Sequence, residues 1–149
     1  MILDDLYREV ILDHYRAPRN AARPEELSGE QVHENPTCGD SLRLEVVLAA
    51  DGTVERIRHH SQGCAISVAS ASLMTEALRG RSVAESREIA SRFIRAMRGE
   101  DQPESLEELG DLAALQGVTR FPLRVKCATL AWHALLGALP RASPSPSGP

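Results

Sequence analysis

Three cysteines, together with an aspartate close to the first of them, are the residues of this sequence that best suit binding a soft metal ion or carrying sulfur. Cys38 lies in the short stretch NPTCGD with Asp40 two positions on, and Cys64 and Cys127 follow in more apolar stretches. A deprotonated thiol is both a strong nucleophile and a soft metal ligand. Three thiolates and one carboxylate would complete the tetrahedral coordination that Zn²⁺ adopts in proteins.

The wide separation of the cysteines leaves two interpretations open. Their spacing matches no zinc-finger pair, so a shared site would have to be assembled by the tertiary fold. The other interpretation is three unrelated cysteines, because a buried cysteine commonly packs as a small apolar residue.

Hydrophobic periodicity predicts the elements of the N-terminal half. Apolar residues recur at helical spacing from Leu3 to Tyr15, and Pro18 ends that helix. Residues 42–48 alternate as a half-buried strand, and the Asp51-Gly52 pair predicts a hairpin turn. Two further strands are predicted, a partner over residues 54–61 and a weaker one over residues 30–34, which together give a small antiparallel three-stranded sheet.

The C-terminal half is predicted to be helical. Three helices are expected, together with a broken helix before the last of them and a disordered Pro/Ser-rich tail. The first helix covers residues 64–80, and the second, capped by Ser82 and Glu85, runs to Gly99. The broken helix lies within residues 99–120, and the last helix runs from Pro122 to near Pro140. The tail covers residues 141–149.

These elements place the three cysteines differently. Cys38 falls in the loop before the hairpin, Cys64 at the N-terminus of a helix, and Cys127 in the first turns of the last helix. The unpaired N–H groups at a helix N-terminus favour the thiolate form, so two of the three positions suit a nucleophile or a metal ligand.

Composition narrows the class of protein. The chain has 149 residues, of which 42% are hydrophobic and 26% charged, and this suits one domain over residues 1–140. The net charge is −4 and there is no basic run, so we expect no nucleic-acid partner. The charged N-terminus and the lack of a long apolar run predict no signal peptide and no membrane partner, hence a cytoplasmic protein with reduced thiols.

Three stretches carry a resemblance to a known family. NPTCGD, HHSQGCAISVASASLM and RVKCATLAWHAL resemble the three cysteine motifs of the U-type iron–sulfur cluster assembly proteins, SufU and IscU, and the likeness runs from Leu3 to Leu139. The resemblance implies a SufE/NifU-like α+β fold, a small antiparallel three-stranded sheet with helices packed on one face. It also implies that Cys38, Asp40, Cys64 and Cys127 bind Zn²⁺.

Two features favour the SufU branch of this family. Lys126 stands where IscU scaffolds carry a histidine before the third cysteine, and residues 99–120 look like an insertion. This branch implies a sulfurtransferase-type accessory protein that works only with a SufS-type cysteine desulfurase. In that mechanism a histidine of the desulfurase replaces Cys38 on zinc, and Cys38 takes the persulfide sulfur for downstream iron–sulfur assembly proteins.

Two alternatives stay open: a scaffold that binds iron or a [2Fe–2S] cluster on the same cysteines, and a purely structural zinc module.

Lys126, the only lysine, is a candidate for pairing with Asp40 or steadying a persulfide anion. His59 and His60 are expected to be solvated at a strand end, with a supporting place beside the metal ligands as the alternative for one of them, and His14 and His133 are expected to be packed within helices. The first helix, with Tyr7 and Tyr15, either docks the desulfurase or packs on the sheet.

Overall fold

The computed structural model describes residues 2–27, 32–35 and 39–140. Helices and antiparallel strands occur together, so the predicted α+β class is confirmed. The elements are α1 (Ile2–Arg16), a short 3₁₀ turn (Pro24–Glu26), β1 (Val32–Asn35), β2 (Asp40–Leu48), β3 (Val54–Gln62), α2 (Ala65–Leu78), α3 (Val83–Met97), a long 3₁₀ segment (Pro103–Arg120) and α4 (Pro122–Ala138).

The sheet has the strand order β1-β2-β3, and both pairings are antiparallel. The long strands β2 and β3 form its main pair, and β1 is a four-residue edge strand close to the predicted range of 30–34. In the register, Asn35 pairs with Asp40 and Ser41 pairs with Gln62. The beginning of β2 therefore lies beside the end of β3, where the chain turns into α2.

One face of the sheet supports the helices. Leu42, Leu44 and Ile57 are buried on this face as part of the hydrophobic core, and α2 and α4 pack against the strands. On the other face the buried Glu45 accepts hydrogen bonds from Nε and Nη2 of Arg58, at 2.7 and 3.1 Å. Arg58 Nη2 also donates to Glu26 O, so the short 3₁₀ turn covers part of this second face.

Small residues and one aromatic pair shape the packing of the helices. The middle of α2 is a run of buried alanines and serines, and α4 presents Ala128, Ala131 and Ala134 as buried residues. Helices approach closely where their contacting side chains are small. Trp132 of α4 stacks on Phe93 of α3 with ring centroids 4.5 Å apart, and both side chains are fully buried.

The start of α3 and the segment before α4 agree with the sequence pattern. Ser82 Oγ accepts from Glu85 N and Glu85 Oε1 accepts from Ser82 N, each at 3.0 Å, which confirms the predicted capping box. The predicted break within residues 99–120 falls at Leu109 and Gly110, where φ becomes positive (69°) and two 3₁₀ helices meet. Leu106, Leu112 and Leu115 of this segment are fully buried, so it is part of the core.

The histidine prediction is right for His14 and wrong for His59 and His133. His14 is buried, as expected, and its Nδ1 lies 2.7 Å from Ser72 Oγ. His133 is exposed, because the buried positions of α4 around it leave this position on the solvent side. His59 is 1% exposed rather than solvated, because it lies on the core face of β3 opposite Leu44.

His59 joins β3 to the segment that follows α1. Its Nε2 donates to Arg19 O at 3.0 Å and its Nδ1 lies 2.8 Å from Ser61 Oγ. Its backbone N–H donates to Asn20 O and its carbonyl accepts from Ala22 N. Both ring nitrogens are thus satisfied in the neutral imidazole.

The predicted disordered tail, residues 141–149, lies outside the described residues. Among the helices that the structure describes, none combines the length and the apolar character needed to cross a bilayer.

Acidification should destabilise the fold partly through His59. Burial lowers the pKa of His59 below its ordinary value of 6.5, so the unfolded chain binds the extra proton first as the pH falls. Its stabilising contribution is complete above about pH 6.5 and is lost as the pH falls towards the folded-state pKa. We expect the free energy of unfolding, measured with urea, to drop between pH 7 and pH 5.

The variant His59→Gln keeps a donor for Arg19 O but cannot titrate. It should be less stable at pH 7 by about 1–3 kcal/mol, since the Ser61 contact is lost, and should depend less on pH than the parent chain. An unchanged pH dependence in this variant would show that other groups, such as His14, account for the whole effect.

Candidate metal centre

Asp40, Cys64 and Cys127 come together although they are far apart in the sequence. One carboxylate oxygen and the two Sγ atoms all lie within 4.8 Å of one another. In a tetrahedral zinc site the ligand atoms lie roughly 3.5–4 Å apart, given metal–ligand bonds of about 2.0–2.3 Å. The three donor atoms are therefore close enough to share one ion after small side-chain adjustments.

Asp40 is fixed at the beginning of β2. Its Oδ1 accepts a hydrogen bond from the backbone N–H of Cys64 at 3.0 Å, and the residue is 2% exposed. The other oxygen, Oδ2, is buried and has no hydrogen-bond partner among the described residues. A buried carboxylate oxygen without a partner is costly, and a cation bound beside it would remove that cost.

Cys64 is the N-cap residue of α2. Its backbone is extended (φ −74°, ψ 166°), and the helix begins at the next residue, Ala65. The negative charge of Asp40 lies at this end of the helix, where unpaired N–H groups and the helix dipole stabilise anions.

Cys127 is supplied by the second turn of α4. Pro122 occupies the first helical position, and Cys127 is fully buried against the core. Its Sγ lies 3.9 Å from Leu123 O, one turn earlier. Burial on a helix gives this sulfur a fixed place from which to face the other two donors.

Gly63 is a residue of the site that sequence reasoning missed. It has φ +143°, and a Cβ at this position would lie 2.0 Å from Asp40 Oδ1. Only glycine lets the carboxylate approach the end of β3 this closely. The available signal in the sequence was a glycine directly before Cys64.

The described contacts do not place Cys38 or Lys126 at the centre. Cys38 lies outside the described residues, so its place as a ligand and sulfur acceptor stays a prediction. Lys126 precedes Cys127 on α4 with an exposed side chain, and no hydrogen bond or ion pair with Asp40 occurs among the described residues. Its role beside the ligands also stays a prediction.

An open groove of about 590 Å³ lies near the start of α2. Residues of α1, of the end of the long 3₁₀ segment and of the start of α4 form its walls, and Ile66 brings it within two residues of Cys64. Arg8, Arg120 and Arg124 line it together with the exposed Phe121. This part of the surface combines apolar and positively charged side chains.

The family model and the similar sequences point to the same family of proteins. The family model described as the NifU-like N-terminal domain matches residues 6–128. The zinc-dependent sulfurtransferase SufU of Bacillus subtilis is 45% identical over 133 residues, which cover 89% of this chain and 88% of that protein. The iron–sulfur cluster assembly scaffold protein IscU of Streptococcus pyogenes is 39% identical, covering 95% of this chain and 87% of that one.

A solved structure agrees with these sequence relatives. The crystal structure of a chain from Fervidobacterium islandicum AW-1, described as an iron–sulfur cluster assembly scaffold protein for the SUF system, superposes with a TM-score of 0.78. It is 28% identical, and the match covers 89% of this chain and 95% of that one.

Gly63→Ala should disrupt the metal centre directly. The added methyl group would displace the Asp40 carboxylate and leave the backbone in a conformation that alanine rarely adopts. We expect Zn²⁺ affinity, measured by competition with a chromophoric chelator, to fall on the order of tenfold or more.

The matched control is Gly52→Ala in the hairpin turn. Gly52 also has a positive φ (+86°), but no atom lies within 4 Å of the added Cβ position. This variant should lose about 1 kcal/mol of stability and keep its Zn²⁺ affinity. Equal losses of affinity in the two variants would mean that Gly63 acts only through general stability.

Proposed function

Because the chain belongs to the family of NifU-like N-terminal domains, we propose that it is a zinc-dependent sulfur acceptor acting with a cysteine desulfurase in iron–sulfur cluster assembly. The observation that carries the proposal is the Asp40–Cys64–Cys127 cluster, whose aspartate also has one carboxylate oxygen buried without a hydrogen-bond partner among the described residues. The name of the Bacillus subtilis relative, a zinc-dependent sulfurtransferase, supports zinc as the ion.

The donor set fits zinc chemically. Two sulfur donors and one carboxylate oxygen suit a tetrahedral ion, and one further ligand would complete the coordination. Cys38 precedes Asp40 by two residues, and two residues span at most about 7 Å between Cα atoms, so the Cys38 thiol is within covalent reach of an ion bound at Asp40. Bound Zn²⁺ supplies deprotonated thiolates at neutral pH.

Cys38 is the proposed acceptor. Its thiolate attacks the terminal sulfur of the persulfide on the desulfurase, forming a new S–S bond on Cys38. The S–S bond of the enzyme persulfide breaks, and the electron pair leaves with the cysteine thiolate of the desulfurase. Cys38 then carries the sulfur as a persulfide to downstream iron–sulfur assembly proteins.

The groove near the start of α2 is the proposed approach for the desulfurase. It is lined by Ile66, two residues after Cys64, and its arginines, Arg8, Arg120 and Arg124, would attract an acidic surface of the partner. This extends the prediction that α1 contributes to docking, since Tyr7 also lines the groove. Lys126 is proposed to steady the anionic sulfur near the same helix.

The second candidate function is a scaffold that assembles a [2Fe–2S] cluster on the same residues. The 39% identity with the Streptococcus pyogenes scaffold protein favours it, because that relative covers nearly the whole chain. Metal content distinguishes the two functions. A sulfur carrier should be purified aerobically as a colourless protein with about one tightly bound zinc per chain, whereas a brown protein with a stable reconstituted cluster would favour the scaffold.

Replacement of Cys38 by alanine tests the acceptor role. The variant retains Asp40, Cys64 and Cys127, so we expect a folded chain that no longer stimulates the cognate desulfurase. The measurements are alanine release by the desulfurase and the intact mass of the carrier, which should gain one sulfur atom only when Cys38 is present.

Cys64→Ser is the comparison variant, since it removes a proposed metal ligand and leaves Cys38 in place. Each of the two variants retains three of the four proposed donors, so both should bind zinc more weakly than the parent chain, but only Cys64→Ser keeps the proposed acceptor thiol. Stimulation that survives in Cys38→Ala would refute the assignment of Cys38 as acceptor. A structural zinc module predicts no stimulation by any form of the chain.

A further inference from the structure

A single buried hydroxyl group connects the two helices that supply the sulfur ligands. Ser70 of α2 is fully buried, and its Oγ donates to Ala128 O of α4 at 2.6 Å. The same Oγ accepts a hydrogen bond from Trp132 Nε1 at 3.0 Å. Ser70 thus contacts two groups that lie one turn apart on α4.

These two hydrogen bonds define the register of α4 against α2. A bond to Ala128 alone would allow α4 to rotate, but the second bond to Trp132, one turn further along, opposes rotation and sliding together. The indole ring is itself fixed, because it stacks on Phe93 of α3. The neighbours of Ser70 on α2, Ala69 and Ala71, have small side chains, so the two helices can approach closely here and the hydrogen bonds of Ser70 can help to set the register.

The register determines where the two sulfurs lie. Cys64 caps the N-terminus of α2, and Cys127 directly precedes the Ala128 whose carbonyl group Ser70 binds. A shift of α4 along α2 would therefore move Cys127 Sγ away from Cys64 and Asp40, whose donor atoms lie within 4.8 Å of it. Metal sites depend on such supporting contacts, which hold the ligands at bonding distance.

We infer that Ser70 is a positioning residue of the metal centre, which sets the separation of Cys64 and Cys127 through its bonds to Ala128 and Trp132. The inference rests on the metal binding that belongs to the proposed function, and on no step of sulfur transfer. Ser70 contributes no donor atom to the ion and acts through the helix pair.

The same helix offers a closely matched control. Ser72 is also fully buried in α2, and its Oγ accepts from Arg19 N at 2.8 Å and lies 2.7 Å from His14 Nδ1. Ser72 therefore joins α2 to α1 and to the segment that follows it, neither of which supplies a described ligand. Ser72→Ala removes an equally buried hydroxyl group with two partners, without changing the contact of α2 with α4.

The test compares metal binding in the parent chain, Ser70→Ala and Ser72→Ala at a temperature where circular dichroism shows all three to be folded. The probes are Zn²⁺, in competition with a chromophoric chelator, and Co²⁺, whose visible bands report tetrahedral thiolate coordination. We expect Ser70→Ala to bind Zn²⁺ on the order of tenfold more weakly and to shift the Co²⁺ bands. Ser72→Ala should lower the melting temperature to a similar degree and leave both metal readouts at parent values.

A second variant covers the case in which Ser70→Ala does not fold because the indole N–H is left buried without an acceptor. Ser70→Ala combined with Trp132→Phe removes that donor and retains an aromatic ring against Phe93. Parent-like Zn²⁺ affinity and Co²⁺ bands in either folded Ser70 variant would overturn the inference, as would equal weakening in Ser72→Ala.

The metal measurement needs no desulfurase, so the positioning role and the sulfur-carrier function can each be refuted without the other. Tight Zn²⁺ binding that weakens only in the Ser70 variants, in a chain that stimulates no desulfurase, would refute the sulfur-carrier function and support the positioning role. Stimulation of the desulfurase by a Ser70→Ala chain with parent-like Zn²⁺ affinity would support the sulfur-carrier function and refute the positioning role.

Discussion

The hydrogen bond from the Cys64 N–H to the Asp40 carboxylate joins the sheet to the helices at the point on which the centre depends. It places the first residue of β2 against the N-cap of α2, so one contact fixes a strand, a helix and two candidate ligands. It also uses only one carboxylate oxygen, and the other is buried without a partner among the described residues. The close approach requires Gly63, whose missing side chain leaves the space that Asp40 occupies.

The third described ligand depends on a different kind of constraint. Cys127 reaches the site because α4 packs on α2, and the buried residues of the two helices include many alanines and serines. Such an interface is close but weakly specified in register, since small side chains form shallow ridges. Buried hydrogen bonds can supply the missing specificity, because a misplaced partner leaves a polar group unsatisfied.

Local patterns in the sequence predicted most of the elements, and long-range contacts account for the errors. The Ser82 capping box and the Asp51-Gly52 hairpin depend on residues within four positions, so they could be predicted from the sequence. His59 was predicted wrongly because its partners, at Arg19 and Asn20, lie some forty residues earlier and carry no signal in the strand itself. The convergence of Asp40, Cys64 and Cys127 came from family motifs, since their spacing alone left unrelated cysteines equally open.

The described ligands differ from Cys38 in what their release would cost. Freeing Asp40 would break its bond to Cys64 and leave a carboxylate buried, and freeing Cys127 would require α4 to move in the core. Cys64 is held as the cap of α2. A sulfur carrier that exchanges one ligand while keeping its fold would therefore exchange a ligand outside these three anchored positions. That asymmetry is the physical reason for proposing Cys38, rather than one of these three residues, as the sulfur acceptor.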